Sequence, residues 1–280
     1  MTPDYLLIGH VTADLTPAGR LLGGTVSYAA RVVKAFGLRA GVLTSAAENE
    51  PLLEHLRPFV DELAVLPAAS TSTFENIYEP SGRIQYIRGV AAPLGFEDIP
   101  AAWRAAPLVH LAPLTGEVDP QIARRFKDAT VMLTLQGWLR QWDGAGRVNF
   151  KRWFDPDVLS HINVVVFSEE DIREAPELEV EFAGAVEHLF VTRAERGGTY
   201  YRRGQAIPYT TPQVEQIHPT GAGDIFAAAL LSSLGFLNHD MRRAAQVAAR
   251  LAALSVTRVG LDGAPSVEEV RQALAEVEHD

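Results

Sequence analysis

The chain predicts an α/β protein, a single domain built on a parallel sheet and carrying a small all-β excursion. Three observations predict it. Short apolar runs alternate with helix-spaced segments along most of the chain. Residues 71–89 switch to an alternation of polar and apolar residues. After Gly221 the pattern becomes helical throughout.

Taking the elements in order, Tyr5–Ile8 is an apolar run that stops at Gly9, the mark of a buried strand. Thr25–Phe36 has helical spacing, with the small residues Ser27, Ala29 and Ala30 on one side. Gly37 closes it and Ala40–Thr44 follows as a strand, completing a strand–helix–strand unit. Leu108–Leu111, Val131–Leu135, Val164–Phe167 and Leu189–Thr192 read as further buried strands, with a helix over Pro120–Phe126 between the first two. In 71–89, Thr73, Glu75, Ile77 and Glu79 lead to Gly82 and then to Ile84, Tyr86 and Arg88, a hairpin with one wet face. Thr199–Arg203, Gly204 and Ala206–Tyr209 form a second hairpin. Asp224–Leu234, Met241–Val256 and Ser266–Val277 are helices, and the Ala-rich stretch from Arg243 to Val256 belongs in the interior. No repeat, low-complexity tract or linker interrupts residues 1–280, so one domain is expected. Its lid comes from about 10–22 and 71–90, since hairpins inserted over a site commonly close on substrate.

Composition removes several functions. The 280 residues carry a formal net charge of -10, which argues against binding nucleic acid or a membrane surface, because both need a dense basic face. There are no cysteines, so disulfides, zinc–thiolate sites and cysteine nucleophiles are excluded. Met1 to Gly9 lacks the basic start and long apolar core of a signal peptide, and no apolar stretch is long enough to span a bilayer, so a cytoplasmic address is expected.

The sharpest motif is His218-Pro219-Thr220-Gly221-Ala222-Gly223-Asp224-Ile225-Phe226, running straight into Ala227-Ala228-Ala229-Leu230-Leu231. Glycines around an alanine at a helix start leave backbone N–H groups unobstructed, where the helix dipole adds partial positive charge. A migrating phosphoryl group needs such donors, and an Asp in the first turn can take the proton of an attacking hydroxyl. A tight loop followed by a helix-capping Asp is the plainer alternative for Gly-x-Gly-Asp. No Gly-Lys-Ser/Thr follows, so this is not a Walker A loop. Phe226 stands where a dinucleotide fingerprint has its third glycine.

The full string resembles the C-terminal signature of the PfkB, or ribokinase-like, carbohydrate kinases. The resemblance implies a Rossmann-like, three-layer α/β/α ribokinase-like fold with a small β-hairpin lid. It also implies Asp224 as catalytic base, with Gly221, Ala222 and Gly223 as the anion hole. By the same resemblance Gly9, Asp14 and the pair Gly23-Gly24 match the N-terminal motif, with Asp14 on substrate hydroxyls and Gly23 and Gly24 admitting the substrate to the backbone. Ser168-Glu169-Glu170-Asp171 stands where the family carries Asn-x-x-Glu, so Glu170 and Asp171 are the implied organisers of magnesium through water. Val191-Thr192-Arg193-Ala194-Glu195-Arg196-Gly197-Gly198 resembles the nucleotide loop; Thr192 and Gly197 match, Ala194 replaces a glycine, and Thr220 and Gly223 complete the implied nucleotide contacts. His218 replaces an Asp that helps hold a monovalent cation, and imidazole is a poor ligand for so hard an ion, so such a cation is not expected.

Gln136-Gly137-Trp138-Leu139-Arg140 follows a strand end, where open α/β sheets bind ligands, and resembles the myo-inositol kinase-like branch. Gln136 can bond vicinal hydroxyls and Arg140 can fork onto an oxygen pair, which makes both candidate substrate ligands. Trp138 and Trp142 serving only as packing, with Arg140 pairing a surface acid, is the competing reading. The expected activity is Mg²⁺-dependent transfer of the γ-phosphoryl of ATP to a hydroxyl of a sugar, cyclitol or nucleoside. A ligand-binding or regulatory protein that kept the fold and lost transfer is the alternative, motivated by His218, Ser168 and Ala194. The open edge of the 71–89 hairpin also offers a surface for a homodimer.

Overall fold

The computed structural model describes residues 1–17, 19–79 and 82–278. Nine strands make the main sheet, in the order β15-β14-β13-β12-β9-β8-β1-β4-β5. They are β1 Tyr5–Ile8, β4 Ala40–Ala47, β5 Glu62–Ala68, β8 Leu108–Leu111, β9 Thr130–Thr134, β12 Val164–Ser168, β13 His188–Thr192, β14 Gly198–Arg202 and β15 Gln205–Tyr209. From β5 across to β13 every pairing is parallel; β13, β14 and β15 then run antiparallel.

Alternation along β1 shows how the layers arise. Tyr5 and Leu7 enter one apolar cluster, while Leu6 and Ile8 enter the other. A strand covered on both faces must be apolar throughout, and β1 is fully buried. The first cluster packs helices α1 Thr25–Ala35, α5 Ala222–Ser233, α6 Met241–Ser255 and α7 Val267–Glu278 against the sheet. Ala227, Ala228 and Ala229 of α5 meet Ala244, Ala245, Ala248 and Ala249 of α6 within it, so small side chains bring these two helices close. The second cluster lies under shorter pieces: α2 Leu53–Leu56 belongs with the first layer, whereas α3 Pro156–Leu159 and α4 Leu178–Ala185 cover this face. Pro120–Arg125 is a six-residue 3-10 helix rather than the expected α-helix. Asp119 caps it through the Gln121 N–H, and Ile122 and Ala123 bury at once, which leaves little length for α-helical turns.

The two segments expected to supply the lid, about 10–22 and 71–90, pair with each other. Strands β2 Thr12–Thr16, β3 Gly19–Gly23, β6 Ser72–Glu79 and β7 Gly82–Gly89 form a separate sheet in the order β3-β2-β6-β7, with β2 parallel to β6. The turn expected just before Gly82, at residues 80 and 81, lies outside the described residues. A ribbon of β10 Arg140–Trp142 and β11 Val148–Phe150 lies beside β7, where the Ile87 N–H donates to Gly146 O at 2.8 Å. Among the described residues no helix is long and apolar enough to cross a membrane.

Candidate active site

The carboxyl ends of β1, β9 and β12 converge with the N-termini of α1 and α5 and with the inner face of the small sheet. Gly221 occupies the N-cap of α5 with φ 89°, a left-handed conformation that only glycine adopts without cost. A Cβ there would also fall 2.3 Å from Cε1 of Tyr28 on α1. Two constraints therefore demand this glycine, and neither involves a ligand. No side chain caps α5. Gly223 differs: a Cβ added there would meet nothing within 4 Å, so its smallness answers no demand of protein packing.

Asp224 sits in the first turn of α5, partly buried, and accepts a hydrogen bond from Thr25 Oγ1 at 2.7 Å. Burial pushes its carboxyl up to about 6. The Thr25 hydroxyl and the Arg140 guanidinium pull it down, and the carboxylates of Asp171 and Asp14 push it up. The structure thus brings Asp14, Arg140, Asp171 and Asp224 into one electrostatic neighbourhood, from four separate parts of the sequence.

Each neighbour is positioned by its own element. Asp14 on β2 pairs opposite Leu21 and Phe74, and Thr12 Oγ1 donates to its Oδ1 at 3.1 Å. A Cβ on Gly23 would lie 2.3 Å from Asp14 Oδ2, so Gly23 makes room for this carboxylate. Gly24, at φ 90°, would press a Cβ to 2.6 Å of His10 O. Gln136 lies in a 3-10 turn over Leu135–Leu139 and donates through Nε2 to Asp171 Oδ1 at 3.3 Å. The Ser168 N–H donates to Asp171 Oδ2 at 2.9 Å. Arg140 begins β10 with its guanidinium carbon 5.9 Å from the centre of the Phe74 ring. Trp138 is buried and donates to Val118 O at 3.1 Å, which makes it a packing residue, while Trp142 is 38% exposed.

The loop around Thr192 and Gly197 joins β13 to β14. Gly197 has φ 81°, and Ala194, where the family motif has glycine, also lies in the left-handed region at φ 47°. Ala194 thus holds a backbone conformation that suits glycine better than alanine. Thr192 O accepts from the Glu169 N–H at 3.1 Å. Glu169 in turn pairs with Arg196 and, at 3.6 Å, with Arg193, which also holds Glu179 at 2.5 Å. These ion pairs fasten the loop to the 168–171 turn. His218 lies before α5; its backbone N–H donates to Val256 O at 3.0 Å, and its buried Nδ1 has no hydrogen-bond partner among the described residues.

Magnesium was expected at Glu170 and Asp171. Among the described residues no group of three His, Cys, Asp or Glu side chains could hold a metal directly. Asp171 already accepts two hydrogen bonds and Glu170 is exposed. This donor set fits an ion carried by phosphates and waters and does not fit a protein cage.

Residues 156–267 match the family model described as pfkB family carbohydrate kinase. A cytidine kinase of Thermococcus kodakarensis is 24% identical over 253 residues, covering 82% of this chain and 87% of the relative. An inositol 3-kinase of Zea mays is 26% identical over 261 residues, 82% of this chain and 66% of the relative. The pfkB match covers the C-terminal part of the chain, and the two kinases extend the similarity over most of its length. The fold is similar over the whole chain: a pyrophosphate-dependent kinase in the ribokinase family, solved with a pyrophosphate analogue and myo-inositol, superposes with a TM-score of 0.79 at 19% identity, over 96% of this chain and 99% of the other. The matched region of the pfkB domain includes the 168–171 turn, the Thr192 loop and the whole His218–Phe226 motif. Asp14, the glycine pair, Gln136 and Arg140 lie outside it and are joined to it by the fold.

Thr25 and Glu117 escaped sequence reasoning. Thr25 follows the glycine pair at the first position of a helix whose N-cap is glycine, so its hydroxyl had no evident task, and that was the available signal. Glu117 is buried and accepts the N–H groups of His10, Leu114 and Thr115 at 2.9, 2.9 and 2.7 Å. It ties the ends of β1 and β8 together beneath the crevice, and nothing in its sequence context marks it.

Proposed function

We propose that this chain transfers the γ-phosphoryl group of ATP to a hydroxyl of a small polyol, a sugar, cyclitol or nucleoside, with Asp224 as general base. The observation that carries this is the partly buried Asp224 in the first turn of a helix that no side chain caps, facing Asp14, Arg140 and Asp171 across one crevice. With a pKa near 6, this carboxyl is ionised at neutral pH yet basic enough to accept a proton in the transition state. Asp14 and Gln136 bond acceptor hydroxyls, and Arg140 beside Phe74 closes that pocket. The proton of the reacting hydroxyl passes to Asp224, its oxygen bonds to phosphorus, and the bond to the leaving diphosphate breaks. N–H groups of the first turn of α5, with Gly221, Ala222 and Gly223, receive the charge spread over the phosphoryl oxygens. Glu170 and Asp171 would meet the waters of a magnesium ion, whose contribution would be to neutralise phosphate charge. The small sheet acts as lid over the acceptor.

The donor reading rests on an apolar platform. Val214, Ile217 and Val259 are 40%, 62% and 61% exposed. The Ile217 N–H donates to Val256 O at 2.8 Å, which draws the 214–218 segment against the end of α6. Exposed aliphatics at this place, beyond Thr192, Gly197 and Thr220, suit a nucleotide base. Pyrophosphate is the second reading, favoured by the fold neighbour that uses it. The test is consumption of ATP and of pyrophosphate with magnesium over a panel of pentoses, hexoses, inositols and nucleosides, run beside Asp224→Asn. Turnover of one acceptor with ATP, abolished in the variant, supports the proposal. Turnover with pyrophosphate alone replaces the donor, and undiminished turnover in Asp224→Asn removes the base.

A further inference from the structure

We infer that Thr25 is a positioning residue for the transfer, its hydroxyl holding Asp224 Oδ1 at 2.7 Å so that Oδ2 is the oxygen that takes the acceptor's proton. The inference rests on Asp224 being the base, and it adds which oxygen acts and what orients it.

Two features set Thr25 apart from a threonine at an ordinary helix start: where its hydroxyl is directed, and its burial. Thr25 is the first residue of α1, but the N-cap seat belongs to Gly24, and no side chain caps the helix. Its hydroxyl is therefore directed away from its own helix and across to another, 199 residues on in sequence. It is 2% exposed, so water does not compete for the bond. A β-branched side chain is also stiff about χ1, which makes the donor rigid. The contact joins the N-termini of α1 and α5, which Tyr28 and Gly221 hold together just behind it.

A hydroxyl has one proton to donate. While it is given to Oδ1, the Asp224 carboxylate cannot rotate without losing the bond, and Oδ2 keeps its lone pairs for the substrate. In the transfer the acceptor O–H bond breaks with its proton going to Oδ2. The oxygen's electron pair forms the bond to phosphorus, and the donor's P–O electrons leave with the nucleoside diphosphate. The other charged groups acting on Asp224 are Arg140 at the start of β10, Asp171 in the turn after β12, and Asp14 on β2. None of these comes from α1, so Thr25 can be removed with the remaining charges in place.

The experiment measures kcat and KM across pH 5 to 9 for Thr25→Val, Thr25→Ser and Asp224→Asn, with thermal unfolding as a check of the fold. Thr25→Val should lower kcat roughly tenfold with KM changed less than about twofold, since a hydrogen bond to a charged group is lost at the reacting carboxylate. The acid limb of its kcat profile should move upward by roughly one pH unit, because a bond favouring the ionised form is gone. Thr25→Ser should restore both. An unchanged kcat and acid limb in Thr25→Val, a change confined to KM, or failure of Ser to rescue overturns the inference. If Thr25→Val does not fold, Thr25→Ala carries the same comparison with less buried bulk. Undiminished turnover in Asp224→Asn would instead overturn the base itself, a result the Thr25 series cannot imitate.

Discussion

Asp224 carries a conflict between stability and chemistry. Its carboxyl holds its proton more tightly in the fold than in the unfolded chain, where the value is near 3.8. Stability from this group is therefore fully present below pH 3.8 and is lost as pH rises through about 6. Asp224→Asn removes that loss: at pH 7.5 the unliganded variant should be roughly 2 kcal/mol more stable by urea unfolding, with the gain vanishing toward pH 4, while kcat falls by roughly 10² to 10⁴. Equal stability at both pH values would show that Asp224 is better solvated than its surroundings imply. Ala194 carries a backbone cost without a visible chemical return. Its left-handed φ of 47° predicts that Ala194→Gly stabilises by roughly 0.5–1 kcal/mol in the same assay, the relief of strain exceeding the extra freedom of the unfolded glycine. At this scale the place of Asp224 in the first turn of a helix was legible because the glycines that mark that helix start adjoin it in sequence. Thr25 was not, because its partner lies in another helix.

The junction of α1 with α5 is the element on which the site depends. Gly221→Ala would force a Cβ into the Tyr28 ring and strain the N-cap, so it should cost roughly 2–4 kcal/mol of stability and remove activity together. Gly223→Ala, with open space around its Cβ, should leave the unfolding midpoint nearly unchanged while impairing turnover. Thermal unfolding and kcat measured on the pair separate the architectural glycine from the one left for a ligand. The loops at the end of α6 offer a second comparison: Ile217→Ser should raise KM for ATP several-fold and leave KM for the acceptor alone, and unchanged ATP kinetics would remove the apolar platform from the donor site. The buried strands were legible from their continuous apolar runs. β2 and β3 were expected only as part of the 10–22 segment and not as strands, and the β10–β11 ribbon not at all, because short strands with polar, partly exposed residues carry no clean alternation.

Across the whole molecule, the small sheet changes which edge is open. The 71–89 hairpin gives one side of β6 to β2, and β7 meets the 140–150 ribbon through Ile87 and the Tyr86–Arg147 bridge. Among the described residues the free edge of this sheet is that of β3, where Leu21 is 53% exposed. A homodimer, if formed through the small sheet, should use this edge. Leu21→Lys should then shift sedimentation from dimer to monomer, and a wild-type chain that sediments as monomer at working concentration would rule the edge out. Arg20 on the same strand pairs with the buried Glu50 beyond β4 at 2.6 Å, an anchor between the small sheet and the main one.

The sequence by itself determined the α/β class, the order of the buried strands and helices, and the first-turn Asp224 with its glycines. Each of these is local: periodicity records which faces are buried, and a motif confined to one helix start keeps its geometry wherever that helix docks. Only the tertiary structure decided that Asp14, Arg140 and Asp171 share the field of Asp224, that Thr25 holds it, and that segments 10–22 and 71–90 pair into one sheet of four strands. Those facts depend on pairings between residues far apart in the chain, which the packing of both faces of the main sheet selects and no short window of sequence contains.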